Sequence, residues 1–232
     1  MPEVTVVGGT ENNIRFVSDY RALSEVQQLQ FRRVIMEGLK GKFSTTLQDD
    51  TDSILSIVDI WIKYGFLPMH ETFCAIDADT EEVVAILLLN NFHKPNLLDS
   101  ARSLISVIRT IGMKKALRIA FNFLALDNMN KEDNPESIKA EIYLVSTSES
   151  QRGKGIGTIL IMHVLDTLHA KYECQLRKNA DYRVKLFVFA DNPAINLYEK
   201  LGFKQVSSVA TPKLAKVFGN SYDVYVRMER QL

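Results

Sequence analysis

The sequence predicts an α/β fold in which helices flank a central sheet. Its 232 residues are 46% hydrophobic and 24% charged, which is the composition of an ordinary globular domain with a core of its own. Strand-length and helix-length apolar patterns alternate through the second half of the chain, as is typical of a sheet with helical crossovers. Earlier in the chain, two strand-length runs are joined by a short polar segment, which indicates a hairpin. We therefore treat residues 1–232 as a single domain.

The chain begins with a predicted strand and a predicted helix. Residues 14–17 are strand-like, and residues 18–19, a serine and an aspartate, are suitable caps for a helix over about 22–37. Because glycine commonly terminates helices, we expect this helix to end near Gly38 and Gly41.

A second helix and a hairpin follow. Residues 51–53 offer polar caps for the helix. Its apolar residues recur every three or four positions, which places them on one buried stripe: Ile54, Ile57, Val58, Trp61 and Ile62. The hairpin joins strands over 72–76 and 82–89 through the polar segment 77–81.

The second half of the chain contains a long helical segment and then alternating elements. Between the third and fourth predicted strands lie residues 91–139, whose two amphipathic patterns, 98–111 and 114–126, indicate a helical insertion. A strand over 141–146, a glycine-rich turn and a helix come next. The remaining predicted elements are a strand over 184–190, a helix over 193–201, and closing strands over 204–210 and 223–229.

Charge and hydropathy exclude two classes of protein. The 28 basic and 28 acidic side chains balance, which argues against nucleic-acid binding through bulk positive charge. The longest apolar run, Val83 to Leu89, is far shorter than the roughly 18–20 residues that a membrane span needs. The amino terminus shows no signal-peptide pattern. We expect neither a nucleic-acid partner nor membrane association.

The cysteines and histidines argue against a disulfide framework and a metal site. Cys74 and Cys174 form no C-x-x-C pair, and one possible disulfide in a chain of this length favours a reducing, cytoplasmic compartment. The four histidines contain no H-x-x-x-H pair, so no bound metal ion is expected.

The glycine-rich turn is the segment most informative about function. Three of the eleven glycines fall within 153–157, between a predicted strand and a predicted helix. Glycine permits positive φ and lacks a Cβ that would keep a ligand away, so several N–H groups can converge on one anion at a helix N-terminus. Arg152 and Lys154 add positive charge. The turn therefore predicts a phosphate-binding loop; the alternative is a turn that only connects strand and helix.

Two familiar phosphate loops do not fit this turn. The pattern G-x-x-x-x-G-K-[ST] is absent because Lys154 is followed by Gly155. The dinucleotide pattern G-x-G-x-x-G also fails, because the spacing here is G-x-G-x-G. A nucleotide-binding protein of another kind remains an alternative, and ATP rather than coenzyme A would then protect it against heating.

Two segments resemble the GNAT superfamily of N-acetyltransferases. Residues 152–157, Arg-Gly-Lys-Gly-Ile-Gly, are similar to its R-x-x-G-x-G/A signature, whose loop binds the pyrophosphate of acetyl-CoA. Residues 191–203 resemble its N-x-x-A-I-x-L-Y-x-x-x-G-F block, although Asp191 stands where relatives commonly carry asparagine and Asn192 follows one position later. The resemblance covers roughly residues 140–206.

The resemblance implies a fold and a cofactor. The central sheet would be mixed and mostly antiparallel, the strand over 141–147 would splay from the strand over 184–190, and the pantetheine arm would lie between them. The residues implied to hold acetyl-CoA are Val145, Ser146, Thr147, Gln151, Arg152, Gly153, Lys154, Gly155, Ile156, Gly157, Thr158, Asp191, Asn192, Ala194 and Tyr198. Homodimers are common among such proteins, and the sequence does not determine the oligomeric state.

The resemblance also implies two catalytic residues. Tyr198 occupies the position of the family's general acid, which would protonate the departing thiolate; the alternative is a half-buried aromatic whose hydroxyl binds a backbone group. Glu141 aligns with a strand glutamate that takes a proton from the amine, whereas a charged strand residue more often faces solvent.

The leading hypothesis is therefore an N-acetyltransferase that transfers acetyl from acetyl-CoA to a primary amine of a small molecule or protein in a ternary complex. The alternative is a catalytically inactive acetyl-CoA sensor or interaction module that uses the insertion as a partner surface. The acceptor is not identified. Asp49, Asp50 and Asp52 would attract a cationic amine, and the basic trio Lys114, Lys115 and Arg118 would act oppositely.

Overall fold

A computed structural model describes residues 5–9, 12–47, 50–67, 69, 71–90, 96–117, 119, 137–178, 181–210 and 224–232. The strands are β1 (Thr5–Gly9), β2 (Asn12–Ser18), β3 (Thr72–Asp77), β4 (Val83–Asn90), β5 (Ile138–Thr147), β6 (Arg183–Phe189), β7 (Lys204–Ala210) and β8 (Val224–Gln231). The helices are α1 (Glu25–Leu47), α2 (Thr51–Lys63), α3 (Leu97–Ile111), α4 (Ile156–Leu176) and α5 (Ala194–Lys200).

The eight strands form one mixed sheet in the order β1-β2-β3-β4-β5-β6-β8-β7. Every neighbouring pair is antiparallel except β5 and β6, which are parallel and connected through α4. This confirms the expected mixed, mostly antiparallel sheet flanked by helices. The strand β1 was not predicted, because its short apolar run ends in two glycines, which disfavour strands.

Each face of the sheet is covered by its own apolar core. The first core joins α1 and α2 to one face through residues such as Phe31, Ile57 and Ile86. The second core joins α4 to the opposite face through residues such as Leu160 and Leu186. Because α4 packs along its whole apolar stripe, its N-terminus is held in a fixed place relative to the end of β5.

The first helix differs from its predicted limits. It begins at Glu25, where Ser24 and Gln27 form a reciprocal capping box: Gln27 N–H donates to Ser24 Oγ at 3.3 Å, and Ser24 N–H donates to Gln27 Oε1 at 3.2 Å. It continues through Gly38 to Leu47. A Cβ at Gly38 would lie 2.7 Å from Ser146 Oγ. This glycine is therefore a close-packing residue and not a helix stop.

The second helix and the hairpin agree closely with prediction. Asp50 is the cap of α2, and its side chain accepts from Ser53 N–H at 3.2 Å. The predicted apolar stripe is buried at Ile54, Ile57, Val58 and Trp61. Strands β3 and β4 pair from Thr72–Leu88 to Ala75–Ala85, and the register then shifts by one residue to Ile76–Val83.

The helical segment before β5 is described only in part. The first predicted helix is present as α3, and residues 113–117 and 119 are also helical. Residues 118 and 120–136, which carry most of the second predicted helix, lie outside the described residues. Among the described helices, none is both long enough and apolar enough to cross a membrane.

Candidate functional site

A gap opens between β5 and β6 near the middle of the sheet. The two strands pair from Ile138–Arg183 to Ile142–Leu186, and their pairing stops there although β5 continues to Thr147 and β6 to Phe189. Beyond Ile142, the edge of β5 that faces β6 therefore has no strand partner among the described residues. Such an edge can accept an extended ligand as an additional strand.

A bulge at Tyr143 accompanies the gap. On the other side of β5, Ile142 pairs with Leu89 and Leu144 pairs with Leu88, so Tyr143 is an extra residue in the ladder. A bulge bends its strand and increases the local twist. The bend coincides with the last β5–β6 pair, which gives a local cause for the separation of these strands.

The glycine-rich loop connects the end of β5 to α4. Gly153 and Gly155 have φ values of +80° and +76°, and a Cβ at either position would meet no other atom within 4 Å. A positive φ is the reason for glycine at both positions, since other residues adopt it at a cost. The loop therefore has its shape from backbone conformation and leaves open space beside it.

A run of backbone N–H groups in this loop has no acceptor among the described residues. Arg152 N–H donates to Glu149 O at 3.5 Å, and Ile159 N–H donates to Gly155 O at 3.1 Å. Between them, the N–H groups of residues 153–158 donate to no oxygen in the described part of the chain. They lie at the N-terminus of a 21-residue helix, where the dipole favours an anion.

Contacts with β5 and α1 hold the loop in place. Arg152 Nε donates to Thr147 O at 3.2 Å. A Cβ at Gly157 would lie 3.1 Å from Thr147 Oγ1, so α4 approaches β5 closely at this point. Glu37 on α1 accepts from Glu149 N–H at 2.9 Å. Lys154 Nζ donates to Gln151 Oε1 at 2.7 Å, so both side chains remain at the exposed side of the loop.

The predicted cofactor residues on β5 are oriented differently from one another. Ser146 is buried, and its Oγ donates to Val34 O of α1 at 2.8 Å. Its side chain therefore holds α1 against the sheet. Val145 packs against the second core, on the face that carries α4. Backbone groups, rather than these side chains, line the unpaired edge of β5.

The start of α5 is organised by Asn192. Its Oδ1 accepts from Ala194 N–H at 2.9 Å, and its own N–H donates to Phe189 O at 3.0 Å. Asp191 is exposed beside it. Asn192 therefore fixes the turn that leads into the helix carrying Tyr198.

Tyr198 is half-buried on α5. Its ring meets Phe203 edge-on with centroids 6.0 Å apart, and it packs against the second core. Burial raises the pKa of its hydroxyl to about 12. The phenol therefore stays protonated throughout the physiological range and can serve as a hydrogen-bond donor.

Glu141 lies two residues before the bulge and is buried in a charged pair. Its Oε2 lies 3.6 Å from Nζ of Lys185, which is fully buried, and 3.4 Å from Nδ2 of Asn90. The three residues are direct neighbours across β4, β5 and β6. A paired carboxylate accepts a proton at the cost of that pair. The role of general base remains a prediction.

Aromatic residues near the gap were not singled out from the sequence. Tyr143 and Tyr225 both pack against the first core, and burial, together with the nearby Glu141 carboxylate, raises the pKa of each phenol. Phe187 stacks on Tyr225. The alternation of Lys185, Phe187 and Phe189 on one strand placed them on one face, and that signal was available in the sequence.

The structure gives local partners to some of the residues considered for acceptor binding. Hydrogen bonds from Ser53 lower the pKa of the Asp50 carboxyl, and Lys115 contributes a smaller attraction. Asp50 is therefore engaged as a helix cap. Asp49 and Arg118 lie outside the described residues. In the described part of the chain, no three histidine, cysteine, aspartate or glutamate side chains are grouped as a metal site would require.

Solved structures resemble this fold. The C-terminal condensation domain of Ebony, in complex with beta-alanyl-dopamine, has a TM-score of 0.54 at 15% identity and covers 95% of this chain and 100% of its own. A protein from Desulfovibrio desulfuricans described as a GNAT-family acetyltransferase gives 0.51 at 12% identity, with coverages of 94% and 98%. A protein from Corynebacterium glutamicum described as histone acetyltransferase HPA2 and related acetyltransferase gives 0.50 at 17% identity, with coverages of 99% and 96%. At these identities the likeness concerns the fold.

Comparison at the level of sequence identifies the family of this chain. A search of curated proteins gave no significant match. The sequence model of the Acetyltransferase (GNAT) family matches residues 42–203, which is more than half of the chain and includes the loop, both strands of the gap and α5. The chain therefore belongs to the GNAT acetyltransferase family.

Proposed function

We propose that this protein is an N-acetyltransferase that transfers acetyl from acetyl-CoA to a primary amine of a small molecule or protein by direct attack in a ternary complex. The observation that carries the proposal is the run of N–H groups at residues 153–158 without described acceptors, at a helix N-terminus and next to the unpaired edge of β5. Membership of the GNAT family supports acetyl transfer in general.

The loop and the strand edge would hold two parts of the same ligand. A diphosphate needs several donors in a small space, and the N–H groups of 153–158 together with the helix dipole provide them. An extended amide-containing arm needs backbone donors and acceptors in a row, and the edge of β5 from Tyr143 to Thr147 provides those. The two features are continuous along the chain, because the loop begins where β5 ends.

The chemistry requires one bond to form and one to break. Acetyl-CoA supplies an acetyl thioester, so the amine nitrogen gains a C–N bond, the C–S bond breaks, the amine loses one proton and the sulfur gains one. A backbone N–H on the unpaired edge of β5 would stabilise negative charge on the carbonyl oxygen. Tyr198 would donate a hydrogen bond to the sulfur as charge develops there.

The two proton-handling residues differ in how well their surroundings suit the task. Tyr198 is protonated at neutral pH, but a phenol with a pKa of about 12 is a weak acid beside a thiol of about 8.5. Its contribution is therefore modest. Glu141 is engaged by Lys185 and Asn90, so the proton of the amine would pass to it only with rearrangement of that pair, or directly to water.

Titration of acetyl-CoA against two glycine variants tests the loop. Gly155→Ala and Gly65→Ala both place an alanine at a strongly positive φ, +76° and +73°, where the Cβ meets no other atom within 4 Å. Both should lose about 1 kcal/mol of stability for the same reason. Only Gly155→Ala should weaken acetyl-CoA binding, by about tenfold or more, because only that Cβ occupies the anion site.

The outcomes separate the candidate functions. Absence of acetyl-CoA binding at about 100 μM to the wild-type protein would contradict the proposal. Equal affinities for the two variants would show that the loop is not the phosphate site. Binding without thiol release across a broad panel of amines would favour the inactive sensor instead. Thermal protection by ATP but not by coenzyme A would favour a nucleotide-binding protein.

A further inference from the structure

Aromatic side chains surround the gap on the face opposite α4. Tyr143 and Phe187 are the first residues of β5 and β6 after their last pair, Ile142 and Leu186. Tyr143 packs against the first core, and Phe187 follows Lys185 at the period of two that keeps both on one face. Each strand therefore presents an aromatic residue where the gap begins.

Two more rings continue this surface onto β8. Tyr225 lies opposite Phe189 across the β6–β8 ladder. Its ring stacks on Phe187 with centroids 5.8 Å apart and planes 19° apart, and meets Phe189 edge-on at 4.7 Å. We call Tyr143, Phe187, Phe189 and Tyr225 the aromatic shell. Phe189 is buried, and the other three are half-buried, so the shell retains accessible ring surface.

Charged residues on the same face are paired with one another. Glu141 pairs with Lys185 at 3.6 Å, and Glu229 pairs with Arg183 at 3.2 Å and with Arg227. Arg183 also pairs with Asp181 at 2.6 Å. These three carboxylates are balanced by three cationic side chains, so the described residues offer no excess negative charge. A polycationic acceptor would gain little here.

The surroundings of the shell favour a neutral amine. The Lys185 ammonium lies 5.2 Å from the centroid of the Phe187 ring, but it is paired with the Glu141 carboxylate and therefore adds no net charge at that ring. Partial burial disfavours the charged form of an amine. The attacking amine must be neutral, so this effect assists the reaction.

We propose that the acetyl acceptor is a primary amine joined by a short chain to an aromatic ring, and that the aromatic shell binds this ring. The inference rests on the proposed function, since it needs the thioester to lie in the gap. Aromatic rings pack well in offset or edge-to-face arrangements, and Phe187 and Tyr225 are both only half-buried. A flat ring one or two carbons from the nitrogen would contact the shell while the nitrogen reaches the gap.

Rates of thiol release with three amines test this inference. The wild-type protein should acetylate 2-phenylethylamine with a kcat/KM at least about tenfold above the values for 1,4-diaminobutane and spermidine. In Phe187→Leu, this preference should fall to about threefold or less, because an apolar side chain remains but the ring is lost. Phe66→Leu changes a half-buried phenylalanine outside the shell and should leave the preference unchanged. Acetyl-CoA affinity, measured by titration, should be the same in all three proteins.

Each outcome distinguishes this inference from the proposed function. If acetyl-CoA binds and spermidine or the diamine is acetylated as well as 2-phenylethylamine, the aromatic acceptor is wrong and the acetyltransferase function stands. A preference that survives in Phe187→Leu also overturns the role of the shell. If acetyl-CoA binds but none of the three amines is acetylated, the aromatic acceptor is wrong, and the broad amine panel decides between the acetyltransferase and the inactive sensor. If acetyl-CoA does not bind, the proposed function itself fails, and this inference fails with it.

Discussion

The two halves of β5 show how one strand serves stability and binding in different places. From Ile138 to Ile142 the strand is paired on both sides, and its charged residue Glu141 is buried against Lys185. From Tyr143 to Thr147 it is paired with β4 only and leads into a loop whose N–H groups have no described acceptor. Where polar groups have partners within the protein they stabilise the fold, and where they do not they are available to a ligand.

The largest expected effect concerns the half of β5 that pairs with strands on both sides. Lys185→Met should lower the free energy of unfolding by about 3–5 kcal/mol, because it leaves the Glu141 carboxylate buried without its ammonium. Urea denaturation monitored by circular dichroism measures the change. The double variant Glu141→Gln/Lys185→Met should recover at least half of the loss. A double variant no more stable than Lys185→Met would show that the pair is not the cause.

The next effect concerns catalysis at the gap. Tyr198→Phe should lower kcat by about 10- to 100-fold, at the low end of general acid catalysis because the phenol is a weak acid. The affinity for acetyl-CoA should change less than twofold, since the ring is retained. A thiol-release assay measures kcat, and titration measures the affinity for acetyl-CoA. An unchanged kcat would show that the Tyr198 hydroxyl has no role in catalysis.

A third effect concerns the stability of the protein at high pH, where the half-buried phenols near the gap ionise. Burial raises the pKa of Tyr198 to about 12 and also raises the pKa of Tyr143 and Tyr225. A raised folded pKa gives stability that is complete below the unfolded value of about 10 and is lost as pH rises through the folded value. The raised pKa of Tyr198 alone should lower the free energy of unfolding by on the order of 1 kcal/mol by pH 11.

Denaturation at pH 8 and pH 11 checks this expectation. The wild-type protein should lose stability between these values, and Tyr198→Phe should lose less. The kcat of the wild-type protein should show no fall attributable to Tyr198 ionisation below about pH 11, because the protonated phenol is the active form. Equal alkaline losses in both proteins would contradict the assigned burial of the hydroxyl.

The smallest effect concerns the link between α1 and the loop. Glu37→Ala removes the acceptor of Glu149 N–H and should raise the KM for acetyl-CoA about threefold, with kcat unchanged, because the turn before the loop loses one hydrogen bond. Glu37→Gln retains a side-chain oxygen at the same distance and should restore the wild-type KM. A KM that is unchanged in Glu37→Ala would show that the loop holds its position without this contact.

Much of the fold can be predicted from the sequence because the signals for it are local. The stripe of α2, the polar turn of the β3–β4 hairpin and the cluster at Gly153–Gly157 each lie within one segment of chain. The error at the end of α1 has a cause that is not local. Glycine commonly ends helices, so the sequence predicts an end near Gly38 and Gly41, whereas Gly38 packs closely against Ser146, more than a hundred residues away. No pattern within α1 shows that contact.

The chemistry of the site divides in the same way. Positive φ and the helix start are properties of the chain between β5 and α4, so the sequence by itself determined the glycine-rich loop, which we propose binds the diphosphate, and the helix that carries Tyr198. Where β5 and β6 separate, which partner Glu141 meets and which rings surround the gap depend on the register of three strands. Only the tertiary structure decided these features, because register is set by contacts between distant segments.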